Sequence, residues 1–310
     1  MPISTEVIPL GTASAIPTRD RNLSATALRR EGEMLLFDCG EGTQFQLLRA
    51  GLKRSRLDAL FLTHFHGDHL YGLFGLLTTM ALLGREDALT IVAPEGLPDI
   101  LDVIPGLQAH QLPYPLRHVG LAPGFGHAVV FDAPAYYVAA RPLEHRVFAA
   151  GYRFQEKVRP GKVDGEKAQA LGFAENWHFE AVKNGKPVTI GGRTVQPEDI
   201  VGPDRPGVSF AYVLDTMPCT AGRRLAEGVD LLIHEATFTE DEAQRAEEVG
   251  HSTARQAATI AKQAGAQHLL LTHFSARYAD LQPLVDEARA VFPNTAAAEE
   301  LRTYVLTPPA

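Results

Sequence analysis

The chain has 310 residues, of which 45% are apolar and 21% are charged. This composition is close to that of an ordinary globular protein, and it excludes disordered, collagen-like and disulfide-stapled chains. The formal net charge of −8 disfavours nonspecific binding to nucleic acid or anionic lipid, so a nucleic-acid partner requires a local basic patch or bound cations. The two cysteines, Cys39 and Cys219, have no Cys or His partner at zinc-site spacing, and we expect both to be buried apolar fillers.

The sequence has no pattern typical of a membrane segment or a leader. The longest uncharged run, residues 70–84, is shorter than a membrane-spanning helix requires. Residues 1–15 lack the basic stretch followed by an apolar one that is typical of a secretion signal. We therefore expect a cytoplasmic protein without a membrane partner.

Several short apolar runs are predicted to be buried strands, and each leads into an Asp or a His. The runs are residues 34–37, 59–62, 212–214, 231–233 and 269–271, and they precede Asp38, His64, Asp215, His234 and His273. Residues 70–83 and 254–264 have helical apolar spacing. This alternation predicts an α/β protein. Polar residues after several strands indicate one shared cleft, although a single one is typical of an ordinary turn.

Residues 155–207 differ from their surroundings, because prolines and glycines interrupt any long regular element there. Between residues 155 and 193, seven basic side chains face five acidic ones, a local charge of +2 in a chain at −8. We expect an arm inserted into a single domain that spans residues 1–310. Taken alone, this composition is typical of a solvated surface hairpin.

The strongest local signal is the segment HFHGDH at residues 64–69, directly after a predicted strand. Imidazole and carboxylate ligands without a thiolate suit Zn²⁺, Mn²⁺ or Fe²⁺. Four such groups within six residues exceed what one ion uses, which favours a pair of metals that clamp the attacking and leaving oxygens. Further ligands are needed, and Asp215, His273 and His145 are candidates. Asp215 fits the carboxylate that must bridge two dications.

A series of separate stretches resembles the ribonuclease Z family of the metallo-β-lactamase superfamily, zinc endonucleases that trim the 3′ trailer from precursor tRNA. The resemblance runs from Leu10 to Tyr278 and includes the HFHGDH segment together with residues 10–12, 17–22, 37–44, 72–77, 144–154, 214–216, 234–238, 250–254 and 271–278. It implies an α/β fold, a four-layer αββα metallo-β-lactamase sandwich, with residues 155–207 as a protruding arm that binds tRNA. It also implies a homodimer.

The resemblance assigns a role to each candidate in the metal site. It places two Zn²⁺ ions in each chain, with Asp215 bridging them. One ion is held by His64, His66 and His145, and the other by Asp68, His69 and His273. It further makes Asp68 the proton acceptor that helps to activate the attacking water, a role beyond that of a ligand.

His251 resembles the family histidine that protonates the departing ribose oxygen, and Glu235 is expected to orient it. The simpler interpretation makes His251 a residue of the loop that begins a helix at Ser252 and Thr253. For substrate binding, the resemblance points to the loop of Arg19, Arg21 and Asn22, in which the family usually has lysine at the place of Arg19. The predicted arm contributes the basic residues Lys157, Arg159 and Lys162. In the same arm, Trp177 either stacks on RNA or packs the arm.

The sequence therefore predicts a dizinc endoribonuclease that uses metal-activated water and leaves a 3′-hydroxyl on the tRNA. The alternative keeps the fold and the metals but hydrolyses a small phosphodiester, thioester or lactone. The arm and the arginines of the 17–22 loop disfavour that alternative. A third hypothesis is a metal-free RNA-binding scaffold, which the complete ligand set disfavours.

Overall fold

The structure, a computed structural model, describes residues 4–108 and 110–307, so the predicted domain 1–310 extends beyond the described residues at both ends. The strands in chain order are β1 (Thr5–Gly11), β2 (Ala25–Arg30), β3 (Glu33–Phe37), β4 (Leu57–Phe61), β5 (Leu89–Pro94), β6 (Leu116–Leu121), β7 (Ala128–Asp132), β8 (Tyr136–Leu143), β9 (Ala149–Glu156), β10 (Val188–Ile190), β11 (Arg193–Val195), β12 (Ser209–Val213), β13 (Leu231–Glu235), β14 (His268–Thr272), β15 (Thr295–Ala297) and β16 (Tyr304–Leu306).

The helices connect these strands and, in the first and last thirds of the chain, cover the sheets. They are α1 (Thr43–Arg49), α2 (Gly67–Leu70), α3 (Gly72–Leu82), α4 (Leu97–Asp102), α5 (Gly165–Ala170), α6 (Asn176–Lys183), α7 (Pro197–Ile200), α8 (Thr220–Leu225), α9 (Ala243–Val249), α10 (Ala254–Ala264) and α11 (Gln282–Arg289). Among the described residues, none of these helices has both the length and the apolar character that a membrane span needs.

The strands form two large sheets, each with seven strands in the described part of the chain. The first has the order β16-β1-β2-β3-β4-β5-β6, and the second has the order β15-β14-β13-β12-β9-β8-β7. Strands β3 to β6 pair in parallel, and so do strands β12 to β15. Residues that follow parallel neighbours therefore lie at one edge of their sheet, as predicted for a shared cleft.

Side chains alternate between two apolar cores along the central strands. On β3, Phe37 belongs to the core between the sheets, whereas Leu36 belongs to the core that α1 and α3 cover. On β12, Tyr212 lies between the sheets and Val213 lies in the core formed with α8, α10 and α11. Because both faces of these strands are buried, they read as continuous apolar runs. The layers are helix, sheet, sheet and helix, which confirms the predicted αββα sandwich.

The helices predicted from apolar spacing are present. The helix predicted over residues 254–264 is α10, whose N-cap Thr253 accepts the amide hydrogen bond of Gln256. The helix predicted over residues 70–83 is divided at Tyr71 into α2 and α3. Both cysteines are buried. Cys219 is more than an apolar filler, because its Sγ accepts the amide hydrogen of Gly222 at the start of α8.

Residues 156–207 form a separate compact unit. It contains the short helices α5, α6 and α7 and the hairpin of β10 and β11. Its own small core is built from Ala168, Phe173, Val182, Val188, Val195 and Ile200. Within this unit Arg159 is paired with the buried Glu156 at 3.7 Å, Lys162 is exposed, and Trp177 is 56% exposed.

Truncation of Phe37 tests the core between the sheets. Its ring lies 5.0 Å from that of Phe61 and 5.3 Å from that of Phe210, measured between centroids. We expect Phe37→Ala to lower the free energy of unfolding by about 3–5 kcal/mol, because it leaves a cavity between two sheets. Denaturant titration measures this. Val305→Ala, at a side chain that is 55% exposed, should stay within about 0.5 kcal/mol of the parent. Equal stability of the two variants would contradict the assignment.

Candidate metal centre

The end of β13 and the loops after β4, β8, β12, β13 and β14 bring His, Asp and Glu side chains to one place. The structure gathers all seven predicted metal ligands in two clusters, in each of which one ligand atom per residue lies within 4.8 Å of the others. The members are His64, His66, His145 and Asp215 in the first cluster, and Asp68, His69 and His273 in the second. A third grouping joins Asp215, His251 and His273.

Two strand-end residues from the sequence prediction, Asp38 and His234, do not belong to these clusters, and His234 is turned away from them. The ring of His234 is buried, and its Nδ1 donates to the carbonyl oxygen of Glu235 at 2.8 Å. Side chains alternate along a strand, so His234 and Glu235 point to opposite sides of β13. Glu235 is therefore the residue that this strand delivers to the site.

Asp215, a member of the first cluster, also faces the second, and a different carboxylate oxygen lies near each. Its Oδ1 is 3.2 Å from Nε2 of His69 and 3.1 Å from Nε2 of His273. Its Oδ2 is 3.5 Å from Nε2 of His64 and 3.9 Å from Nε2 of His145. This is the arrangement that a carboxylate shared by two cations requires.

On the sheet that carries β4, carboxylate and hydroxyl groups hold two of the ligand imidazoles. Nδ1 of His69 donates to Oδ2 of Asp38 at 2.8 Å. Oγ1 of Thr63 donates to Asp38 and lies 2.9 Å from Nδ1 of His64, from which it accepts. Since Nδ1 carries the hydrogen in both rings, the Nε2 lone pairs are left for a metal.

Two more imidazoles are held in the same way by the other sheet and its loops. Nδ1 of His145 donates to the carbonyl oxygen of Gly250 at 2.7 Å. Nδ1 of His273 lies 3.0 Å from Oγ1 of Thr237, whose hydroxyl donates to Glu235. All four rings therefore offer Nε2 to the cluster.

The cluster contains buried polar atoms that a bound cation would satisfy. Nε2 of His64, Nε2 of His145 and Oδ1 of Asp215 are buried and make no hydrogen bond within the described residues. Such orphaned atoms are rare in proteins and need a partner. Three lone-pair donors that face one another fit bound metal ions.

The electrostatics of the cluster agree with this interpretation. Burial lowers the pKa of His64 well below its ordinary value and also lowers the pKa of His145, so both rings are neutral and able to coordinate. Burial opposes the charged form of Asp215, but His273, His69 and His64 outweigh it and hold its pKa well below the usual range. Burial likewise opposes the charge of His69, but Asp215, Asp38 and Asp68 raise its pKa well above the ordinary value. A metal must displace that proton.

Glu235 and His251 form a hydrogen-bonded pair at the side of the cluster. Oε1 of Glu235 accepts from Nδ1 of His251 at 2.9 Å and from the amide of Thr216 at 2.6 Å. Oε2 accepts from Thr237 and from the amide of Ser252. Burial lowers the pKa of His251, but the Glu235 carboxylate outweighs it and raises the pKa to about 9. This pKa favours the protonated form of His251 at neutral pH.

The backbone is strained where the strands deliver these side chains. Asp38, Asp215 and His273 have φ values of 57°, 48° and 60°, in the left-handed region that residues with a side chain rarely adopt. The backbone is also tightly packed here, since an ideal Cβ at Gly40 would lie 2.4 Å from the carbonyl oxygen of Asp68. This contact accounts for a glycine after β3.

The loop over residues 12–22 contacts the second cluster through its backbone. The amide of Ala15 donates to Oδ2 of Asp68 at 2.8 Å. Arg19 is exposed. Arg21 instead uses its guanidinium to hold the carbonyl oxygens of Ser275 and Tyr278, at 3.3 Å and 2.8 Å.

Glu300 fixes the base of the same loop. Its carboxylate accepts from the amide of Thr12 at 3.1 Å, from the amide and the side chain of Asn22 at 2.7 Å each, and from Gln46 at 2.9 Å. The side chains of Arg21 and Asn22 thus make hydrogen bonds within the protein. Of the three predicted loop residues, Arg19 has the exposed side chain.

The sequence analysis missed the residues that orient the ligands. Asp38 was noticed as a strand-end residue but was not assigned to the site, and its place after β3 was the available signal. Thr237 and Gly250 lie in stretches that carry the family resemblance, but the sequence assigns them no contact. Glu300, which fixes the loop over residues 12–22, lies outside those stretches. Their roles depend on which loops meet in space.

Comparisons with known proteins show which family this chain resembles. The family model described as "Beta-lactamase superfamily domain" matches residues 178–274, and the model "Anti-Pycsar protein Apyc1" matches residues 5–102. The curated ribonuclease Z of Salinibacter ruber is 55% identical, covering 98% of this chain and 95% of the relative. That of Methanosarcina acetivorans is 42% identical, covering 94% and 95%.

Solved structures agree with these relatives. The crystal structure of human tRNase Z, short form, has 29% identity and a TM-score of 0.69 and covers 97% of this chain and 99% of its own. The metallo-β-lactamase fold protein YhfI of Bacillus subtilis has 20% identity and a TM-score of 0.68, over 97% and 99%. The fold is that of the metallo-β-lactamase superfamily, with a His and Asp cluster suited to metal ions. Within it, the chain belongs to the ribonuclease Z family, as its sequence motifs predicted.

Replacement of Asp38 tests the orienting bonds. In Asp38→Asn, the side chain keeps its size but loses the charge that holds His69, so we expect cation affinity to fall about ten- to a hundredfold. Competition between the protein and a chromophoric chelator for Zn²⁺ measures the change.

Asp230→Asn is the matched control for this experiment. Oδ2 of Asp230 also accepts an amide and a hydroxyl hydrogen bond, both from Ser209, at 2.7 Å and 3.0 Å. It belongs to none of the clusters described above, so its replacement should leave Zn²⁺ affinity unchanged. Parent-like affinity in Asp38→Asn would remove the proposed orienting role.

Proposed function

We propose that this chain is the endoribonuclease that removes the 3′ trailer from precursor tRNA with two zinc ions and leaves a 3′-hydroxyl on the tRNA. The reaction and the substrate class follow from the ribonuclease Z family, in which the chain matches relatives over nearly its whole length. The observation that carries the proposal is the complete ligand set, seven residues in two clusters joined by Asp215.

The donor set fits zinc. Imidazole and carboxylate ligands in two groups of three, with one shared carboxylate, are chemistry that Zn²⁺ accepts readily. His64, His66 and His145 would hold one ion, Asp68, His69 and His273 the other, and Asp215 both. When bound, two zinc ions would supply an activated water and neutralise charge that develops on the scissile phosphate. Their four positive charges would also offset half of the chain's net charge of −8, which favours an anionic substrate.

Asp68 is proposed as the proton acceptor for the attacking water. Its Oδ2 lies 3.4 Å from Nε2 of His69 and 3.5 Å from Nε2 of His273, and it accepts from the amide of Ala15. Burial opposes its charge, but His69 and His273 hold the pKa of Asp68 far below the usual range. The carboxylate is therefore ionised, the form that a proton acceptor needs.

His251 is proposed as the proton donor to the departing ribose oxygen, and Glu235 as its positioning residue. Glu235 is fully buried, and its two oxygens accept four hydrogen bonds, so it cannot turn away from His251. The ring of His251 lies 5.1 Å from that of His145 and 5.3 Å from that of His273, between centroids. It therefore lies against proposed ligands of both zinc ions, beside the place where the reacting phosphate would bind.

Arg19 and the unit of residues 156–207 are proposed to contact the RNA. Arg19 is exposed on the loop that reaches Asp68 through Ala15, and a guanidinium binds phosphate in a bidentate manner. In the 156–207 unit, proposed as the tRNA-binding arm, Lys157, Arg159 and Lys162 supply positive charge. The exposed Trp177 ring is suited to stack on a base or a ribose.

The alternative of a small phosphodiester, thioester or lactone as substrate has less support. It does not account for the near full-length match to ribonuclease Z relatives. The homodimer and the cytoplasmic location stay predictions that accompany the proposed activity.

Cleavage mapping on a precursor tRNA tests the proposal. The zinc-loaded protein should make a single cut at the junction of the tRNA and its 3′ trailer, and Asp68→Ala should abolish it, because both a ligand and the proton acceptor are lost. Cleavage at limiting enzyme should weaken from low to high salt, since phosphate contacts release counterions.

The products and the metal content decide the outcome. A 3′-hydroxyl on the tRNA product and two zinc ions per chain are expected. No cut by the zinc-loaded parent, with a small phosphodiester still hydrolysed, would move the assignment to the alternative substrate class. Far less than one zinc per chain after purification without chelator would support a metal-free scaffold.

Removal of the His251 ring tests the proton donor. We expect His251→Ala to retain both zinc ions and to cleave precursor tRNA about 10²- to 10⁴-fold more slowly, the usual contribution of a general acid. Single-turnover rates report the chemical step, and elemental analysis reports the zinc.

His268→Ala provides the control, because His268 begins the same strand, β14, that ends next to His273 and its ring is exposed. This variant should cleave at the parent rate. A His251→Ala variant with full zinc and the parent rate would eliminate the acid role.

A further inference from the structure

An apolar recess lies directly beside the proposed metal centre. It has a volume of about 420 Å³, within the usual range of pockets that hold small ligands. The proposed zinc ligand His66 forms part of its wall. The recess therefore adjoins the place where the scissile phosphate must bind, and the proposed reaction gives it no role.

The walls of the recess are aromatic and aliphatic. Phe65 and Phe148 contribute two rings, and Leu121 and Val147 contribute branched side chains, with Glu95 and two prolines completing the wall. Both rings are half-buried, and Val147 is 43% exposed. Apolar side chains this close to a polar site remain accessible to a ligand.

The two rings are anchored from behind. Phe65 packs against the core covered by α1 and α3, and Phe148 packs against the core between the sheets. The ring of Phe148 also contacts that of Phe125, with centroids 5.9 Å apart. Anchored rings lose little entropy when a flat ligand stacks on them, so the recess is preorganised.

The chemistry of the neighbouring site limits the occupant. A phosphodiester at the metal centre carries a nucleoside on each side, and an unpaired base is the apolar, planar group closest to the phosphate. Single-stranded RNA is bound in proteins by stacking such bases on aromatic side chains. The recess offers that surface next to His66.

We propose that this recess binds the unpaired nucleobase of a nucleotide that flanks the scissile phosphate, by stacking against Phe148 and Phe65. The inference rests on the proposed function, because it requires an RNA phosphodiester at the metal centre. Stacking tolerates any base, since every base has a π-face, but it does not tolerate the absence of the base. The recess thus selects for an unpaired nucleotide and does not select for a particular base.

The nucleotide on either side of the cut could supply the base, and substrates with one missing base separate the two. Three precursor tRNAs are compared: the intact one, one with an abasic nucleotide on the tRNA side of the cut, and one with an abasic nucleotide on the trailer side. Each is cleaved by the zinc-loaded parent and by Phe148→Leu, which keeps an apolar side chain but removes the ring. The measured quantity is kcat/KM.

We expect Phe148→Leu to lose about tenfold in kcat/KM on the intact substrate, as the loss of one stacked base would predict. On one abasic substrate the parent should lose a similar factor, and Phe148→Leu should cause no further loss. The substrate that shows this cancellation identifies the nucleotide. The inference would be overturned if Phe148→Leu lowered kcat/KM by the same factor on all three substrates, or lowered it on none of them.

Two further variants control for effects of the substitution on folding. Phe131→Leu removes another half-buried ring of the same inter-sheet core, outside the wall of the recess, and should leave all three rates at parent values. Val147→Trp fills the recess from an exposed position and should give the same cancellation as Phe148→Leu. If the parent cleaves the intact substrate but neither Phe148→Leu nor Val147→Trp distinguishes the three substrates, the proposed role of the recess is refuted and the proposed function stands. A parent that cleaves none would refute both.

Discussion

The hydrogen bonds on Nδ1 of four histidines are the constraint on which the site depends. His64 and His69 come from the segment after β4, His145 from the loop after β8 and His273 from the loop after β14. Each ring is held by a different partner: a hydroxyl, a carboxylate, a carbonyl and a second hydroxyl. Each bond directs Nε2 of its ring into the volume shared with Asp215. Two layered sheets are needed because no single strand could supply these partners.

The α/β class and a shared cleft could be predicted from local patterns, whereas the four-layer sandwich was implied by the family resemblance. Buried parallel strands read as apolar runs, and a ligand that follows such a run, such as Asp215 or His273, is visible without any tertiary information. His234 shows the limit of the pattern. It also follows an apolar run, but the alternation of β13 turns it away and presents Glu235 instead. The partners that orient the rings are unpredictable locally, since a backbone carbonyl such as that of Gly250 has no signature.

The loop over residues 12–22 illustrates a second limit. Arg21 and Asn22 resemble substrate contacts in sequence, yet their side chains hold the carbonyl oxygen of Tyr278 and the carboxylate of Glu300. A charged or amide side chain in a loop binds whichever partner the fold brings near. The partner here, Glu300, follows the last residues of the second sheet and is almost three hundred positions away in the chain. Only the folded chain distinguishes an internal contact from an exposed one such as Arg19.

The left-handed backbone at Asp38, Asp215 and His273 has a consequence for anyone who would stabilise this enzyme. Strain of this kind costs about 1–3 kcal/mol at each residue, and glycine would relieve it. A consensus or design procedure that optimises backbone geometry would therefore choose glycine at all three positions. Each choice would delete a proposed metal ligand or the carboxylate that holds one. These three strained positions carry chemical groups of the site, so thermostability must be sought elsewhere in the molecule.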